Sequence, residues 1–255
     1  MKLIAVPVVA FCLIAAVCAR ADSYSFKEPF RKTGAFNATG SLSLENVNGD
    51  VDIRAWDKNE ILIEGEKSAK TEEELAAVDL RMEVSADHAA IKVRLPKRSG
   101  GWFSGNTIRA SVRFRITVPA TAVLDQIETV NARVSVDGVL GRTKVKTVNG
   151  TIEAAGLGGG ARLTTVNGQI NAAFASVATG QQLSFETVNG SVTIALPADA
   201  GVKLRTSVVN GRVSCDFPLT ISSSSGRKSL CGTIGDGRAS LDAETVNGGI
   251  RIERR

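Results

Sequence analysis

Two patterns of apolar and polar residues divide the chain. Between residues 41 and 118 several short runs alternate apolar and polar positions with a period of two, which is typical of half-buried β-strands. One short helix is predicted at about 72–80, because Thr71 and Glu74 form a capping box ahead of an apolar side. Further along, the chain repeats a four-residue step, most often Thr-Val-Asn-Gly, followed by an alternating apolar run.

The asparagines of this step mark the spacing of the repeat. From Asn131 onward they are 18, 18, 22, 21 and 37 residues apart, and we interpret the long last interval as hiding a degenerate copy around residues 215–231. The shorter intervals fit one coil of a β-solenoid, with a strand, a bend and a second strand. Ala132 replaces the glycine of one copy. The other repeat positions are Asn48, Asn131, Asn149, Asn167, Asn189, Asn210 and Asn247, with Gly49, Gly150, Gly168, Gly190, Gly211 and Gly248.

An Asn-Gly pair is also the strongest short-range signal of a β-hairpin, so hairpins are the alternative. In a hairpin at Asn167-Gly168, Val166 would face Gln169 and Thr165 would face Ile170. Each pair would set an apolar residue against a polar one, although cross-strand partners share a face. We therefore favour coils with Val inside, Thr and Asn outside, asparagines hydrogen-bonded from coil to coil and glycines at φ > 0 in the bends.

Residues 1–21 have the pattern of a cleaved secretory signal. Lys2 precedes an apolar run over residues 3–17, and Ala19-Arg20-Ala21 is a small-x-small cleavage site. The run is shorter than the about 20 residues of a membrane-spanning helix. We expect an exported protein, located in the periplasm or at the cell surface of a bacterium, with no transmembrane segment in the mature chain.

The mature chain, residues 22–255, is predicted to be one continuous all-β domain. Residues 22–118 would form a β-rich cap, an antiparallel sheet with the short helix, on a single-stranded, β-helix-like solenoid at residues 119–255. Such a cap prevents edge-to-edge pairing of the first coil. At the other end, charged residues such as Arg251 and Glu253 are expected to protect the last strand.

Composition removes several functional classes. Once Lys2 and Arg20 leave with the signal, 29 basic and 26 acidic side chains remain, interspersed along the chain, which predicts no nucleic-acid partner. Cys215 and Cys231 stay in the mature chain, and an even pair in an oxidising compartment predicts a disulfide. His88 is the only histidine and is expected in a surface turn, so neither a metal nor a cofactor is predicted.

One local segment has the composition of a contact site. Residues 97–106 combine basic charge with Trp102 and Phe103, and they are predicted to form a hairpin loop between strands at 91–95 and 108–118. Exposed aromatic residues beside basic ones would suit a peripheral contact with a lipid surface or a glycan.

Three stretches follow an order found in a known family. They are residues 46–53 with Trp56-Asp57, the Val118-Pro119 step before the repeats, and the closing run over residues 232–252. In this order they resemble a bacterial putative-adhesin family, domain of unknown function 4097, over roughly residues 36–255. The resemblance implies a β-solenoid domain at the bacterial envelope, and it carries over no catalytic residues.

These features predict an exported, non-enzymatic envelope protein, an adhesin or interaction scaffold that binds an envelope protein or a glycan. No acidic column follows the Asn-Gly steps, so no catalytic residue is predicted. The alternatives are a carbohydrate-active enzyme on a β-helix and a periplasmic accessory or sensor subunit of a membrane partner. Asp, Glu and Arg clustered in a cleft over adjacent coils would favour the enzyme, and ladders of Thr and Asn would favour the scaffold.

Overall fold

The computed structural model describes residues 25–95, 110–225 and 228–255, which are almost entirely β-strand. The predicted signal at 1–21 and the predicted contact residues Trp102 and Phe103 lie outside these ranges. The helix α1 is Glu72–Ala76. The strands are β1 Phe26–Ala35, β2 Ser41–Glu45, β3 Val51–Trp56, β4 Glu60–Ala69, β5 Asp79–Val84, β6 His88–Arg94, β7 Ala110–Pro119, β8 Val123–Glu128, β9 Val134–Asp137, β10 Thr143–Asn149, β11 Ile152–Leu157, β12 Ala161–Asn167, β13 Ile170–Phe174, β14 Gln182–Asn189, β15 Val192–Leu196, β16 Val202–Asn210, β17 Val213–Cys215, β18 Thr220–Ser225, β19 Ser229–Ile234, β20 Ala239–Asn247 and β21 Ile250–Arg254.

The strands form two long sheets with a thin apolar core between them. Sheet A has the order β1-β4-β7-β3-β9-β11-β13-β15-β21-β17, and sheet B has the order β18-β19-β16-β20-β14-β12-β10-β8-β2-β6-β5. Each repeat contributes one strand to sheet B and the next to sheet A, as in β12 and β13. The predicted all-β solenoid is confirmed.

Equivalent residues of successive coils lie opposite one another. Strands β10, β12, β14 and β20 pair in parallel, with Asn149 opposite Asn167, Asn167 opposite Asn189, and Asn189 opposite Asn247. In a hairpin the two strands that flank Asn-Gly would pair with each other, whereas here they belong to different sheets. The coil interpretation is therefore correct.

At the N-terminal end the parallel coils give way to antiparallel strands. The coils β2–β3 and β6–β7 still stack in parallel, and antiparallel pairing begins with β1, β4 and β5. Helix α1 packs against β1 and β4 with Leu75 buried, and the Thr71 hydroxyl accepts a hydrogen bond from the Glu74 N–H at 3.2 Å. It is shorter than predicted, because the chain turns after Ala77 and enters β5.

The strands on either side of the loop at residues 97–106 do not form the predicted hairpin. Strand β6 pairs with β2 and β5 in sheet B, whereas β7 pairs with β3 and β4 in sheet A. The start of β7 is held at the corner of the neighbouring coil, because Asn48 Nδ2 donates to the Ala110 carbonyl at 3.1 Å. Strands β6 and β7 therefore belong to different sheets, as the two strands of a coil do.

At the C-terminal end the order of the coils in space differs from their order in the chain. The final coil, β20–β21, lies between β14–β15 and β16–β17. The long asparagine interval contains the antiparallel hairpin β18–β19, which extends sheet B beyond β16, so the predicted degenerate copy is wrong. Because β21 is an interior strand, Arg251 does not protect an edge, but β17 pairs with β21 only as far as Ile252 and leaves Glu253 beyond that pairing. Among the described strands, the outermost at this end are β17 and β18.

The corner between the sheets reverses the predicted faces of the repeat. Thr165 is 1% exposed and Val166 is 37% exposed. The Thr165 hydroxyl donates to the Gly150 carbonyl of the preceding coil at 3.1 Å, and Thr187 and Thr245 make the equivalent bond. A carbonyl group at a buried corner needs a donor, and threonine supplies it from inside.

The repeat glycines are required by close stacking more than by backbone conformation. A Cβ atom on Gly190 would overlap the carbonyl oxygen of Gly168 in the adjacent coil, and the same holds at Gly150, Gly168 and Gly211. Among the repeat glycines only Gly49 and Gly248 have positive φ. The expectation that the bends in general need φ > 0 is therefore wrong, since the adjacent backbone leaves no space for a side chain.

Beside the glycines, the repeat asparagines form a continuous ladder along the solenoid. The spatial order is Asn48, Asn131, Asn149, Asn167, Asn189, Asn247 and Asn210, and from Asn131 onward each Nδ2 donates to the Oδ1 of the preceding asparagine at 2.8–2.9 Å. The predicted hydrogen bonding from coil to coil is present, and it follows the spatial order of the coils.

We expect Gly190→Ala to lower the free energy of unfolding by about 2–3 kcal/mol, because the new methyl group forces adjacent backbones apart. Gly249→Ala is the matched control, since its Cβ would lie 3.3 Å from the Arg212 carbonyl oxygen, and it should cost less than about 1 kcal/mol. Urea unfolding curves measure both. Equal losses would contradict the stacking constraint.

Replacing an interior rung of the ladder should also destabilise the protein. Asn167→Ala removes two side-chain hydrogen bonds, and we expect a loss of roughly 1–3 kcal/mol at about 1 kcal/mol per bond. Gln169→Ala alters an exposed side chain of the same coil outside the ladder and should change stability by less than about 0.5 kcal/mol. If the two variants unfold at the same urea concentration, the ladder contributes nothing.

Candidate binding surface

A long groove crosses the outer face of sheet A. One cavity of about 910 Å³ is lined by residues of β1, β4, β7, β3, β9 and β11, and a second of about 430 Å³ continues over β11, β13 and β15. Both are lined by Arg54, Ser135 and Glu153, so they form one depression, which we call the sheet-A groove. It spans eight strands, or about 34 Å at about 4.8 Å per strand.

The register of sheet A builds the floor of this groove. Alternate residues of each strand point outward, and the parallel pairing brings equivalent positions side by side. One polar row therefore crosses all ten strands: Arg31, Glu64, Arg115, Asp52, Ser135, Glu153, Asn171, Thr193, Arg251 and Ser214.

The half of the groove nearer β1 carries charges of both signs in alternating strands. Arg31 pairs with Glu64 at 3.5 Å, Arg54 with Asp52 at 3.0 Å, and both partners of each pair are partly exposed. The Arg31–Glu64 pair joins adjacent strands, whereas Arg54 and Asp52 both lie on β3, and each pair stabilises the sheet only modestly because solvent screens it.

Two cations of this half are available for a ligand. Arg113 and Arg115 on β7 are exposed, and within the described part of the chain neither has a carboxylate within 4 Å. Their side chains point into the groove, next to Asp50, Asp52 and Glu66. A guanidinium that lacks an ion pair can bind a carboxylate or phosphate with two parallel hydrogen bonds.

The other half of the groove is shallow and has small side chains. Ala155, Ala173 and Ala195 lie on three adjacent coils, and Asn171 and Thr193 flank them. This arrangement gives an apolar strip with amide and hydroxyl groups along one side. A flat ligand can approach the backbone closely here, because no side chain longer than a methyl group intervenes.

The sheet-A groove has the clustered charged side chains expected of an enzyme on a β-helix, but not the buried acid. Asp, Glu and Arg do cluster over adjacent coils, yet the Asp52 and Glu153 side chains are 29% and 46% exposed and lie beside arginines. A catalytic acid is usually desolvated so that its protonated form persists. Within the described residues, no group of three or more His, Cys, Asp or Glu side chains is arranged to hold a metal ion.

His88 has a neighbour that the sequence analysis missed. Its Nδ1 lies 2.8 Å from the Ser41 hydroxyl, since Ser41 and His88 are opposite each other on β2 and β6. His88 is exposed, and the nearby Asp87 carboxylate accepts from Asn37 Nδ2 at 2.6 Å. The pair lies in sheet B at a surface turn, away from the sheet-A groove.

A second exposed surface is a line of valines along the corner. The Val side chains that were predicted inside project next to the asparagine ladder, because the chain turns at this point and two successive residues face solvent. The most exposed of them are Val130, Val166, Val188, Val209 and Val246.

The predicted disulfide is absent, and both thiols are free. Cys215 lies opposite Ile252, which is fully buried, so its side chain faces the core. Cys231 lies opposite Arg205, which is exposed, so its side chain faces the other side of sheet B. The two sulfur atoms are directed to different faces of different sheets, and the bond cannot form without rearrangement.

The groove and the ladder define a two-sheet β-solenoid with an elongated surface site. A family model, Toastrack DUF4097, matches residues 126–253, about half of the chain. The chain therefore belongs to the DUF4097 Toastrack family, which confirms the resemblance noted in the sequence. No curated protein matches it.

Several solved structures are similar to this chain at low sequence identity. A "putative cell adhesion protein" from Clostridium sporogenes is 16% identical, with 89% of this chain and 100% of that chain covered and a TM-score of 0.46. A "putative adhesin" from Bacteroides fragilis is 8% identical, covering 88% and 97%, with a TM-score of 0.36. A "putative lipid binding protein" from Parabacteroides distasonis is 10% identical, covering 88% and 96%, with a TM-score of 0.27.

Among the described residues, no helix has the length and apolar character needed to cross a bilayer.

The two thiols should differ in reactivity. Burial raises the pKa of the Cys215 thiol, and the Asp216 charge adds to this, while a hydrogen bond from the Phe217 backbone opposes it. Less thiolate is therefore present at neutral pH, and we expect Cys215 to be alkylated more slowly than Cys231. Peptide mass mapping after iodoacetamide treatment without reductant measures both. Complete resistance of both residues, reversed by a reductant, would instead indicate a disulfide.

Proposed function

We propose that this protein is an exported, non-enzymatic scaffold of the bacterial envelope that binds an extended glycan along the sheet-A groove. The observation that carries the proposal is the continuity of the groove over eight strands. An open site about 34 Å long exceeds what a small molecule fills, whereas a polymer chain can lie along it. The export signal predicted at residues 1–21 supports a location outside the cytoplasm.

The chemistry of the two halves favours peptidoglycan as the polymer. Its stem peptides carry carboxylates and amines, which suit Arg113 and Arg115 together with the neighbouring acids. Its sugars present hydroxyl and amide groups, which suit Asn171 and Thr193, and their flat faces suit the alanine strip. A ligand with charges of both signs beside neutral sugars would use the full length of the groove.

Cosedimentation with purified peptidoglycan sacculi tests the proposal. Arg113→Gln combined with Arg115→Gln should weaken binding at least about tenfold, because a charge-assisted hydrogen bond contributes roughly 1.5–3 kcal/mol. Ala173→Arg should block the shallow half of the groove with a similar effect. The matched control replaces Lys144 and Arg162 by Gln, which removes two cations from the outer face of sheet B and should leave binding unchanged.

The material released from the sacculi distinguishes the proposed scaffold from a carbohydrate-active enzyme. A scaffold leaves the sacculi intact, whereas a carbohydrate-active enzyme releases soluble fragments, and Glu153→Gln would abolish their release. Fragments in the supernatant would contradict the scaffold function. Failure to bind sacculi, with capture of a membrane protein instead, would favour an accessory or sensor subunit.

A further inference from the structure

In the described part of the chain the two sheets leave four open edges, and three of these edges are protected against pairing with another strand. Strand β1 contains Pro29 between Lys27 and Arg31, and β5 carries Asp79, Arg81 and Glu83. Strand β17 has only three residues. Proline, charge, shortness and β-bulges are the usual means by which proteins prevent edge-to-edge association.

The fourth edge, β18, has no such protection except a bulge at Ser222 in its pairing with β19. Its six residues, Thr220–Ser225, contain neither a charge nor a proline. The strand is hydrogen-bonded to β19 on one side, and it is the last strand of sheet B. Its outer N–H and C=O groups therefore form a row of unsatisfied donors and acceptors.

The hairpin that carries this edge also extends past the rest of the solenoid. Sheet A ends at β17, the coil partner of β16, whereas sheet B continues through β19 and β18. Ile221 lies opposite Gly232, which lies opposite the buried Leu204, so its side chain is on the inner face. With no strand of sheet A over it, Ile221 is 58% exposed, the largest value among the exposed large hydrophobic residues of the described chain.

We propose that β18 is the interface through which two copies of this protein associate, strand against strand about a two-fold axis. An antiparallel pair of identical strands satisfies the backbone groups of both, and it extends sheet B from one copy into the other. A second copy fits because an uncharged strand brings no like charges together. The same operation places both Ile221 side chains on one face of the joined sheet, where each shields the other.

Sedimentation equilibrium of the mature protein tests this interface. The wild type should form a concentration-dependent dimer, and Ile221→Lys should raise its dissociation constant at least about tenfold, since a lysine on an edge strand opposes pairing. Val166→Lys is the control: it adds the same charge to an exposed apolar position five strands away along sheet B, and it should leave the dimer intact. Thermal melts of both variants establish that they fold.

Amide hydrogen exchange locates the contact independently of any variant. Amides of residues 220–225 should be protected at high protein concentration and lose that protection on dilution. A monomer at every concentration would overturn the proposal. A dimer that is equally sensitive to both lysine variants, or one without concentration-dependent protection of β18, would place the contact elsewhere and overturn it too.

Discussion

The close approach of adjacent coils at the sheet corner is the constraint on which the rest of this structure depends. Strand spacing in a sheet is about 4.8 Å, and at the corner the backbones come close enough that a Cβ on Gly168 or Gly190 would overlap a carbonyl oxygen. Within that contact, threonine hydroxyls satisfy the corner carbonyls and asparagine amides link the coils. Since every coil turns at the same point, all the strands that follow are held in one register, and this register places the groove residues in rows.

The first two repeats differ from the others at this corner, and the difference is consistent with the close approach of the coils there. The Gly49 carbonyl accepts from Asn46 Nδ2 at 2.9 Å, so it is not directed at the next coil. The next coil has Ala132 in the glycine position, where a Cβ is tolerated, and the Thr129 hydroxyl lacks a hydrogen-bond partner. One reoriented carbonyl thus explains both departures from the repeat.

The fold could be predicted from the repeat period, whereas the faces of the corner residues could not. The hairpin is absent, but the polarity of its residue pairs does not explain why. Val166 and Gln169 are both exposed, and Thr165 and Ile170 are both buried, although the residues of each pair differ in polarity. In a flattened coil the two residues of each pair have the same burial, as they would in a hairpin. The polarity of the pairs therefore does not distinguish a coil from a hairpin, and only the spacing of the repeat does. Hydropathy misplaced Thr165 because its hydroxyl is satisfied by a carbonyl of another coil, which one strand's sequence does not reveal. The position of the last coil between two earlier coils could not be predicted either, because the length of the 37-residue interval does not specify which coils are neighbours in space.

The sheet-A groove was missed for a related reason, and its composition follows from the two kinds of coil that build it. Its shallow half lies on regular coils, whose identical corners allow Ala155, Ala173 and Ala195 to line up. Its charged half lies on β3, which follows the first repeat step, and on β1, β4 and β7, which follow no such step and where antiparallel strands enter the sheet. Arg115 and Asp52 are 63 positions apart in the chain and become neighbours only through the pairing of β7 with β3. The regular coils thus supply a straight, uniform surface, and the irregular ones supply the charges, so the charged side chains of the groove are concentrated where the repeat is least strict.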